Sequence, residues 1–533
     1  MNISAAPATE VFSKDVQESL NMRIIVHDGY KTIGGNKISV CSKDGRCALL
    51  DFGMNFQRWA EYFEEFINPR TGKALHDIIK LNLAPKIPVY REDLSFDNLS
   101  HDGKYKFLFI SHAHADHCGL IGLISEKLPI VATPETLSIV ITDSEVRRSN
   151  VWDKFYGKRF IKPKSEFVRS DLKQSDRSKD ALIKRTVAGV NGVEKTVSVD
   201  LKDVWDELKL FKVYHSVIGA SAIALKVDEY WVVYTGDLRF GPEKDEEAYW
   251  LESLGEKRLK LSQRTEEFVE KVKELHPMVL IVEGTRVTRE GGGANTTERE
   301  VFENALKIVS KHKGLVFVDY PIRHLERVLT FVKVAQECGR YFVMFPKDFL
   351  YLKDLGKLEP AWKLSQEERE AIKIFHPGVL TYTKREKELL KTVMQEDNLI
   401  TPRDINVDPS KYILSMGYWK IPNILDLSED VLKNSIYIHS TSEAYTEEQQ
   451  IDVKRFSNWL KRFNIKPYGM KFEGEKVIFT KGFHASGHIS PVALENLINK
   501  LNPEYIIPVH TLNKGWFESR WGRRVLTERC IDI

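Results

Sequence analysis

Residues 111–119 read Ser-His-Ala-His-Ala-Asp-His-Cys-Gly, which places His112, His114, Asp116 and His117 within six positions. Four side chains able to bind metal have no use in an apolar core at that density. His112 and His114 can face one ion, while Asp116 and His117 face a second beside it. Imidazole and carboxylate donors suit zinc, with manganese or iron as the alternatives. Two cations held side by side lower the pKa of bound water from about 15.7 toward neutrality and neutralise charge on a reacting oxyanion. The chemistry this run points to is therefore hydrolysis.

Such ligands need rigid backbone behind them. Residues 106–110 read as a buried strand, so the histidine run sits on the loop at its C-terminal end. Three more candidate ligands end apolar strands in the same way. His215 follows 210–214, Asp237 follows 231–235, and His510 follows 505–509. Any one of them alone reads as a structural residue; beside the 111–119 run they complete a two-metal set. Residues 23–56 alternate short apolar runs with glycine turns, an antiparallel meander whose last strand ends at Asp51. Residues 258–275 read as one amphipathic helix, and 278–282 as a buried strand ending at Glu283. Thr297 and Glu300 have the spacing of a helix capping box. From there to about residue 470 the pattern alternates helix and strand, as in a doubly wound α/β unit, with 315–319 and 341–345 as buried strands. Residues 477–510 return to strand, loop, helix and strand.

A chain of 533 residues is too long for one ordinary core, and two or three domains are expected. No apolar run is long enough to cross a bilayer and residues 1–22 lack an apolar signal core, so a cytoplasmic protein is expected, with no membrane partner. The five cysteines (Cys41, Cys47, Cys118, Cys338 and Cys530) are odd in number and scattered, which predicts reduced thiols. The net charge of +3 excludes a global polyanion-binding surface, so any nucleic-acid contact must be local. One segment has such a local excess: 145–186 holds 13 Lys or Arg against 6 Asp or Glu. Trp152, Phe155, Tyr156, Phe160 and Phe167 are interleaved there. They could stack on bases or simply pack on the core. The glycine run Gly291–Gly293 is a candidate hinge.

The ordered set Asp51, His-x-His-x-Asp-His, His215 and Asp237 resembles the metallo-β-lactamase fold. Its later elements resemble the β-CASP nuclease branch of that fold. Glu283 in Val-Glu-Gly-Thr, His488 in His-Ala-Ser-Gly-His-Ile-Ser and His510 in Ile-Pro-Val-His match the three extra motifs of the branch. The 22-residue step from His488 to His510 leaves room for one helix and one strand. Within the branch the chain is most similar to the ribonuclease J group. Two departures stand out: Glu-Gly-Thr replaces the common Glu-Ser-Thr, and only 23 residues follow His510, where bacterial members carry a further domain.

The resemblance implies an αββα metallo-β-lactamase sandwich with an inserted α/β β-CASP domain. Residues 1–287 would form the first part of the sandwich, 288–475 the β-CASP domain, and 476–533 the returning segment. It assigns His112, His114 and His215 to one zinc ion, Asp116, His117 and His510 to the other, and Asp237 to the bridge. Asp51 would orient the ligand loop from behind. His488, oriented by Glu283, would protonate the leaving alkoxide. Ser486, Gly487 and Ser490 would hold a 5′ phosphate. Read from position alone, His484 is either a further phosphate contact or a structural residue, and Arg323 and His324, which follow the strand 315–319, are candidate phosphate contacts across the cleft. The implied activity is two-zinc hydrolysis of single-stranded RNA in RNA processing or decay, as a 5′-to-3′ exonuclease with an endonuclease mode open, and a homodimer is allowed. The rival readings are a DNA nuclease of the same branch and a non-catalytic scaffold subunit. His510 favours RNA, because DNA-acting members usually carry valine there, and no ligand is lost, as a scaffold subunit would show.

Overall fold

The computed structural model describes residues 22–64, 66–146, 150–156, 184–191, 196–241, 250, 253–288, 296–378, 382–395, 398–444, 447–474 and 476–533. Two twisted sheets pack face to face. The first runs in the order Cys530–Asp532, Arg23–Asp28, Lys37–Cys41, Cys47–Leu50, Tyr105–Phe109, Ile130–Val131, Arg185–Ala188, Thr196–Val199. The second runs Tyr505–Val509, Val279–Glu283, Tyr230–Tyr234, Ser221–Val227, Leu208–Lys212. Strand Arg23–Asp28 alternates half-buried and buried positions, which turns Ile24 and Val26 inward. Inward residues of both sheets, among them Phe107, Phe109, Ile223, Leu225, Ile281 and Ile507, make one core between them. Helices Arg264–Lys273 and Pro491–Leu501 cover the outer face of the second sheet, and Ala74–Lys80 and Pro134–Val146 cover that of the first. The result is an αββα sandwich.

The 258–275 segment is two helices, Glu256–Ser262 and Arg264–Lys273, broken at Gln263, where the expectation was one. Amphipathic periodicity runs through the break, because both pieces bury the same face.

A third sheet lies outside the sandwich. It is wholly parallel, ordered Leu399–Ile400, Ile372–Phe375, Tyr341–Met344, Tyr412–Ser415, Val316–Asp319, Ile436–His439, Lys466–Tyr468. Its central strands, Tyr412–Ser415, Val316–Asp319 and Ile436–His439, are buried on both faces, as helices on each side require. The capping box is formed: Thr297 Oγ1 accepts from the Glu300 amide at 3.1 Å, and Glu300 Oε2 from the Thr297 amide at 2.8 Å. The insertion leaves after Glu283 and returns before Tyr505, yet the two flanking strands are adjacent and parallel, with Glu283 opposite Val509. The cassette thus springs from the strand edge that carries the candidate ligands.

One cysteine expectation is corrected. Cys41 and Cys47 form a disulfide across the hairpin Lys37–Cys41/Cys47–Leu50, where they are directly paired. Six residues of separation do not reveal cross-strand pairing unless the turn between them is recognised. No helix among the described residues is long and apolar enough to cross a membrane.

Candidate metal centre

Strand ends converge on one edge of the sandwich. Cys47–Leu50 delivers Asp51, Tyr105–Phe109 delivers the loop Ser111–His117, Tyr230–Tyr234 delivers Asp237, and Tyr505–Val509 delivers His510. Leu208–Lys212 runs antiparallel to Ser221–Val227 and so ends at the same edge, with His215 just beyond it. Asp51 and His510 both have a left-handed backbone, with φ of 56° and 53°. Each such residue costs on the order of 1–3 kcal/mol. The turn is held because the surroundings dictate it: the His510 amide donates to the Gly29 carbonyl at 2.9 Å. Gly53 explains the tight closure of the ligand loop. A Cβ there would lie 1.6 Å from the Asp116 carbonyl oxygen, so no other residue fits.

The seven candidate ligands come together. Donor atoms of His112, His114, His215 and Asp237 lie within 4.8 Å of one another, as do those of Asp116, His117 and His510, and those of Asp237, Glu283 and His488. Asp237 is the hub. Its Oδ2 is 3.1 Å from His117 Nε2, 3.6 Å from His112 Nε2, 3.7 Å from His488 Nδ1 and 3.8 Å from His510 Nε2. His114 Nδ1 faces His112 Nε2 at 3.0 Å and His215 Nε2 at 3.4 Å.

The outer ring nitrogens are committed elsewhere. His117 Nδ1 donates to Asp51 Oδ2 at 2.7 Å, and His215 Nδ1 to the Gly487 carbonyl at 2.6 Å. The Ser111 hydroxyl donates to Asp51 Oδ2, so at 3.0 Å it accepts from His112 Nδ1. The Thr285 hydroxyl donates to Glu283 Oε2, so at 2.9 Å it accepts from His510 Nδ1. Outer hydrogen bonds of this kind fix the tautomer of a metal-binding histidine and point its other nitrogen inward. Asp51 also takes the Ser111 amide at 2.7 Å and the Tyr234 hydroxyl at 2.7 Å, so it braces the loop from behind.

The residues present fit metal ions. Both carboxylate oxygens of Asp237 and the Nε2 of His117 are buried without a hydrogen-bond partner, a costly arrangement unless a cation completes it. Burial holds His112 and His215 well below the usual imidazole range and His114 down to about 4, so their nitrogens are neutral donors. Burial works against the Asp237 charge too, but His117, His510 and His488 keep its carboxyl well below the usual range.

His488 stands at the rim of this centre, with Nδ1 3.0 and 3.2 Å from the two oxygens of Glu283. Burial opposes its charge, yet Glu283 and Asp237 raise it to about 9. The segment carrying it is pinned at two carbonyls: Ser486 accepts from Arg239 at 3.2 Å and Phe483 from Arg327 at 3.3 Å. Gly487 passes so close to the strand-end loop that a Cβ would sit 2.5 Å from Ser216 Oγ. Ser486 Oγ accepts from the His488 amide, and Ser490 caps helix Pro491–Leu501. His484 is largely buried, and Nδ1 has no hydrogen-bond partner.

Arg323 crosses from the cassette to the sandwich, where it donates to the Ala113 carbonyl inside the ligand loop and to Asp143. His324 is buried between Glu298 and Glu326. Of the aromatics in 145–186, Trp152, Phe155 and Tyr156 are buried in the core. Phe160 and Phe167, most of the basic residues there, and Gly291–Gly293 lie outside the described residues. Two residues at the site had no place in the sequence reading. Thr285 joins Glu283 to His510, and Arg239 anchors Ser486. Their signal was proximity in sequence, two residues past Glu283 and two past Asp237.

Fold and site together are an αββα sandwich with an inserted parallel α/β unit and, at the sandwich edge, a His/Asp cluster that fits metal ions. No protein-family model matches the chain. A ribonuclease J of Pyrococcus abyssi is 22% identical over 508 residues, covering 92% of this chain and 90% of that protein. One of Methanocaldococcus jannaschii is 21% identical, covering 92% and 91%. Integrator complex subunit 11 of Danio rerio is 33% identical over 151 residues, covering 27% of this chain and 22% of that protein. A solved structure titled as a protein of unknown function from Enterococcus faecalis V583 superposes with a TM-score of 0.62 at 19% identity, covering 96% of this chain and all of that one. Over nearly its whole length the chain is similar to these ribonuclease J proteins.

Proposed function

We propose that the chain is a metal-dependent ribonuclease that hydrolyses phosphodiester bonds of single-stranded RNA from the 5′ end. The observation that carries this reading is Asp237: a buried carboxylate without hydrogen bonds, ringed by imidazole nitrogens, beside a His488–Glu283 pair. In this reading His112, His114 and His215 hold one ion, Asp116, His117 and His510 the other, and Asp237 lies between. The imidazole-rich donor set favours zinc, with manganese as the substitute. Bound there, the ions would supply an acidified water and positive charge for the phosphate oxygens.

The protein's own residues do the rest. Asp51, Ser111 and Thr285 keep the inner nitrogens aimed at the centre by occupying the outer ones. His488, protonated at neutral pH, gives its proton to the departing 3′ oxygen, while Glu283 fixes the ring through Nδ1 and leaves Nε2 for the transfer. Arg239 and Arg327 fix the 483–488 segment by its carbonyls. In this reading that segment and Ser490, at the start of an eleven-residue helix, receive the 5′ phosphate. The relatives named ribonuclease J support RNA as substrate.

The test is a product ladder from internally labelled single-stranded RNA with a 5′ monophosphate or a 5′ hydroxyl, beside matching DNA, with metal-loaded protein. Mononucleotides released faster from 5′-monophosphate RNA are expected. Cleavage of DNA alone would overturn the RNA reading, and internal fragments indifferent to the 5′ end would replace the exonuclease by an endonuclease.

A further inference from the structure

Three cations gather around one aromatic ring at the edge of the metal centre. Lys514 Nζ is 3.3 Å from the centroid of Tyr30, Lys31 Nζ 5.4 Å, and the Arg529 guanidinium carbon 5.9 Å. They come from three separate stretches: the loop after Arg23–Asp28, the loop after Tyr505–Val509, and the approach to Cys530–Asp532. One cation satisfies a ring face. Three like charges so close repel one another, a cost that a bound anion removes.

Their other partners do not neutralise them. Lys514 donates to the Thr527 carbonyl at 3.4 Å and Arg529 to the His27 carbonyl at 2.8 Å. Among the described residues no carboxylate lies within ion-pair distance of any of the three; Glu518 and Glu528 stand further off. Burial above all, then Lys31, pushes the Lys514 amine down to about 7. Lys31 and Arg529 are exposed, so the cluster opens to solvent.

Position gives the cluster its role. Tyr30 is flanked by Gly29, whose carbonyl holds the His510 amide, and by Gly34, which abuts Asp116 so tightly that a Cβ would lie 2.8 Å from its carboxylate. The cluster therefore borders the Asp116/His117/His510 side of the centre. The Ser486–Ser490 run borders the other side, with the Gly487 carbonyl on His215. We propose that Lys31, Lys514 and Arg529 form a phosphate-binding rim that grips the RNA backbone on the 3′ side of the scissile bond. This rests on the ribonuclease reading. With the 5′ nucleotide at Ser486–Ser490 and the scissile phosphate at the ions, the strand continues past His510 onto this rim. Tyr30 does not stack on a base, since Lys514 covers its face; it holds the buried lysine in place.

The test uses metal-loaded His488→Ala protein, which slows cleavage and keeps the candidate ligands, and a short 5′-phosphorylated RNA followed by fluorescence anisotropy. Adding Lys31→Gln and Lys514→Gln is expected to weaken binding about ten-fold and to reduce the salt slope by about 0.7 for each phosphate that is no longer neutralised. Replacing the phosphate 3′ of the scissile bond with a neutral methylphosphonate should weaken binding to the parent and cost nothing further in the double variant. Should Lys514→Gln fail to fold by circular dichroism, Lys31→Gln with Arg529→Gln, both exposed, has the same expectation. Affinity and slope equal to the parent, or interference confined to the 5′ phosphate, would overturn the rim alone. A parent that binds no RNA would overturn the functional reading and the rim with it.

Discussion

Two buried clusters in this protein are built from the same residue types and behave in opposite ways. The metal centre gathers His112, His114, His117, His215, His510, Asp116 and Asp237 at the sandwich edge. Where the cassette meets the sandwich, Glu298, His324 and Glu326 also place their donor atoms within 4.8 Å of one another. In the second cluster arginines supply the positive charge. Arg327 is bidentate on Glu298 at 2.7 and 2.9 Å and reaches Ser440 Oγ at 2.8 Å, while Arg239 pairs with Glu326. In the first, the described residues in ion-pair range of Asp237 are all histidines, and both of its oxygens lack hydrogen bonds. Ligand-type residues in proximity do not make a metal site; what neutralises the buried carboxylate decides. The second cluster is an ion-pair network that welds the cassette to the 483–488 segment.

The largest expected effect comes from the hub. Asp237→Asn should reduce hydrolysis to background and lower metal content without unfolding the chain, as measured by turnover and metal analysis. An active, metal-replete variant would break the assignment. His488→Ala should slow turnover by about 10²- to 10⁴-fold while metal content stays unchanged. Because the folded His488 pKa is raised from 6.5 to about 9, its protonated form persists through neutral pH. Wild-type activity that depends on this acid should hold below pH 9 and fall above it, a limb absent from the alanine variant. The stability from the same shift is complete below pH 6.5 and is lost as pH rises through 9.

The ion-pair network responds differently. Arg327→Met should cost about 3–5 kcal/mol of unfolding free energy, read by denaturant titration, because it leaves Glu298 charged and buried. Added metal should not rescue it. Thr285→Ala should weaken metal affinity by about 10–100-fold by freeing the outer nitrogen of His510, with little change in fold.

These contrasts mark what the sequence could reveal. The 111–119 run was legible because a loop this dense in ligands has few other uses, and strand 505–509 was legible from its apolar run up to its last residue. The switch from sandwich to cassette was legible in the change from alternating strands to helix–strand alternation. The Arg239–Glu326 and Arg327–Glu298 pairs were not. Their partners are 87 and 29 residues apart, and nothing local marks an arginine that will be buried. The three cations on Tyr30 were hidden for the same reason, since they meet only after the ends of the chain close the first sheet.

The smallest effect expected is in the cassette alone. Burial raises Asp319, at the end of strand Val316–Asp319, to about 6. A carboxyl raised from 3.8 contributes stability that is complete below pH 3.8 and is lost as pH climbs through 6. Asp319→Asn should remove that pH dependence and stabilise the protein at pH 8 by about 1–3 kcal/mol, as read by thermal or denaturant unfolding. An unchanged pH profile would show that the carboxyl is solvated.

The most direct test of the contrast between the two clusters is anomalous diffraction at the zinc edge from crystals grown with zinc. The account predicts two peaks flanking Asp237, among the seven ligands, and none between Glu298, His324 and Glu326. A peak in the arginine-bound cluster, or an empty centre around Asp237, would contradict it.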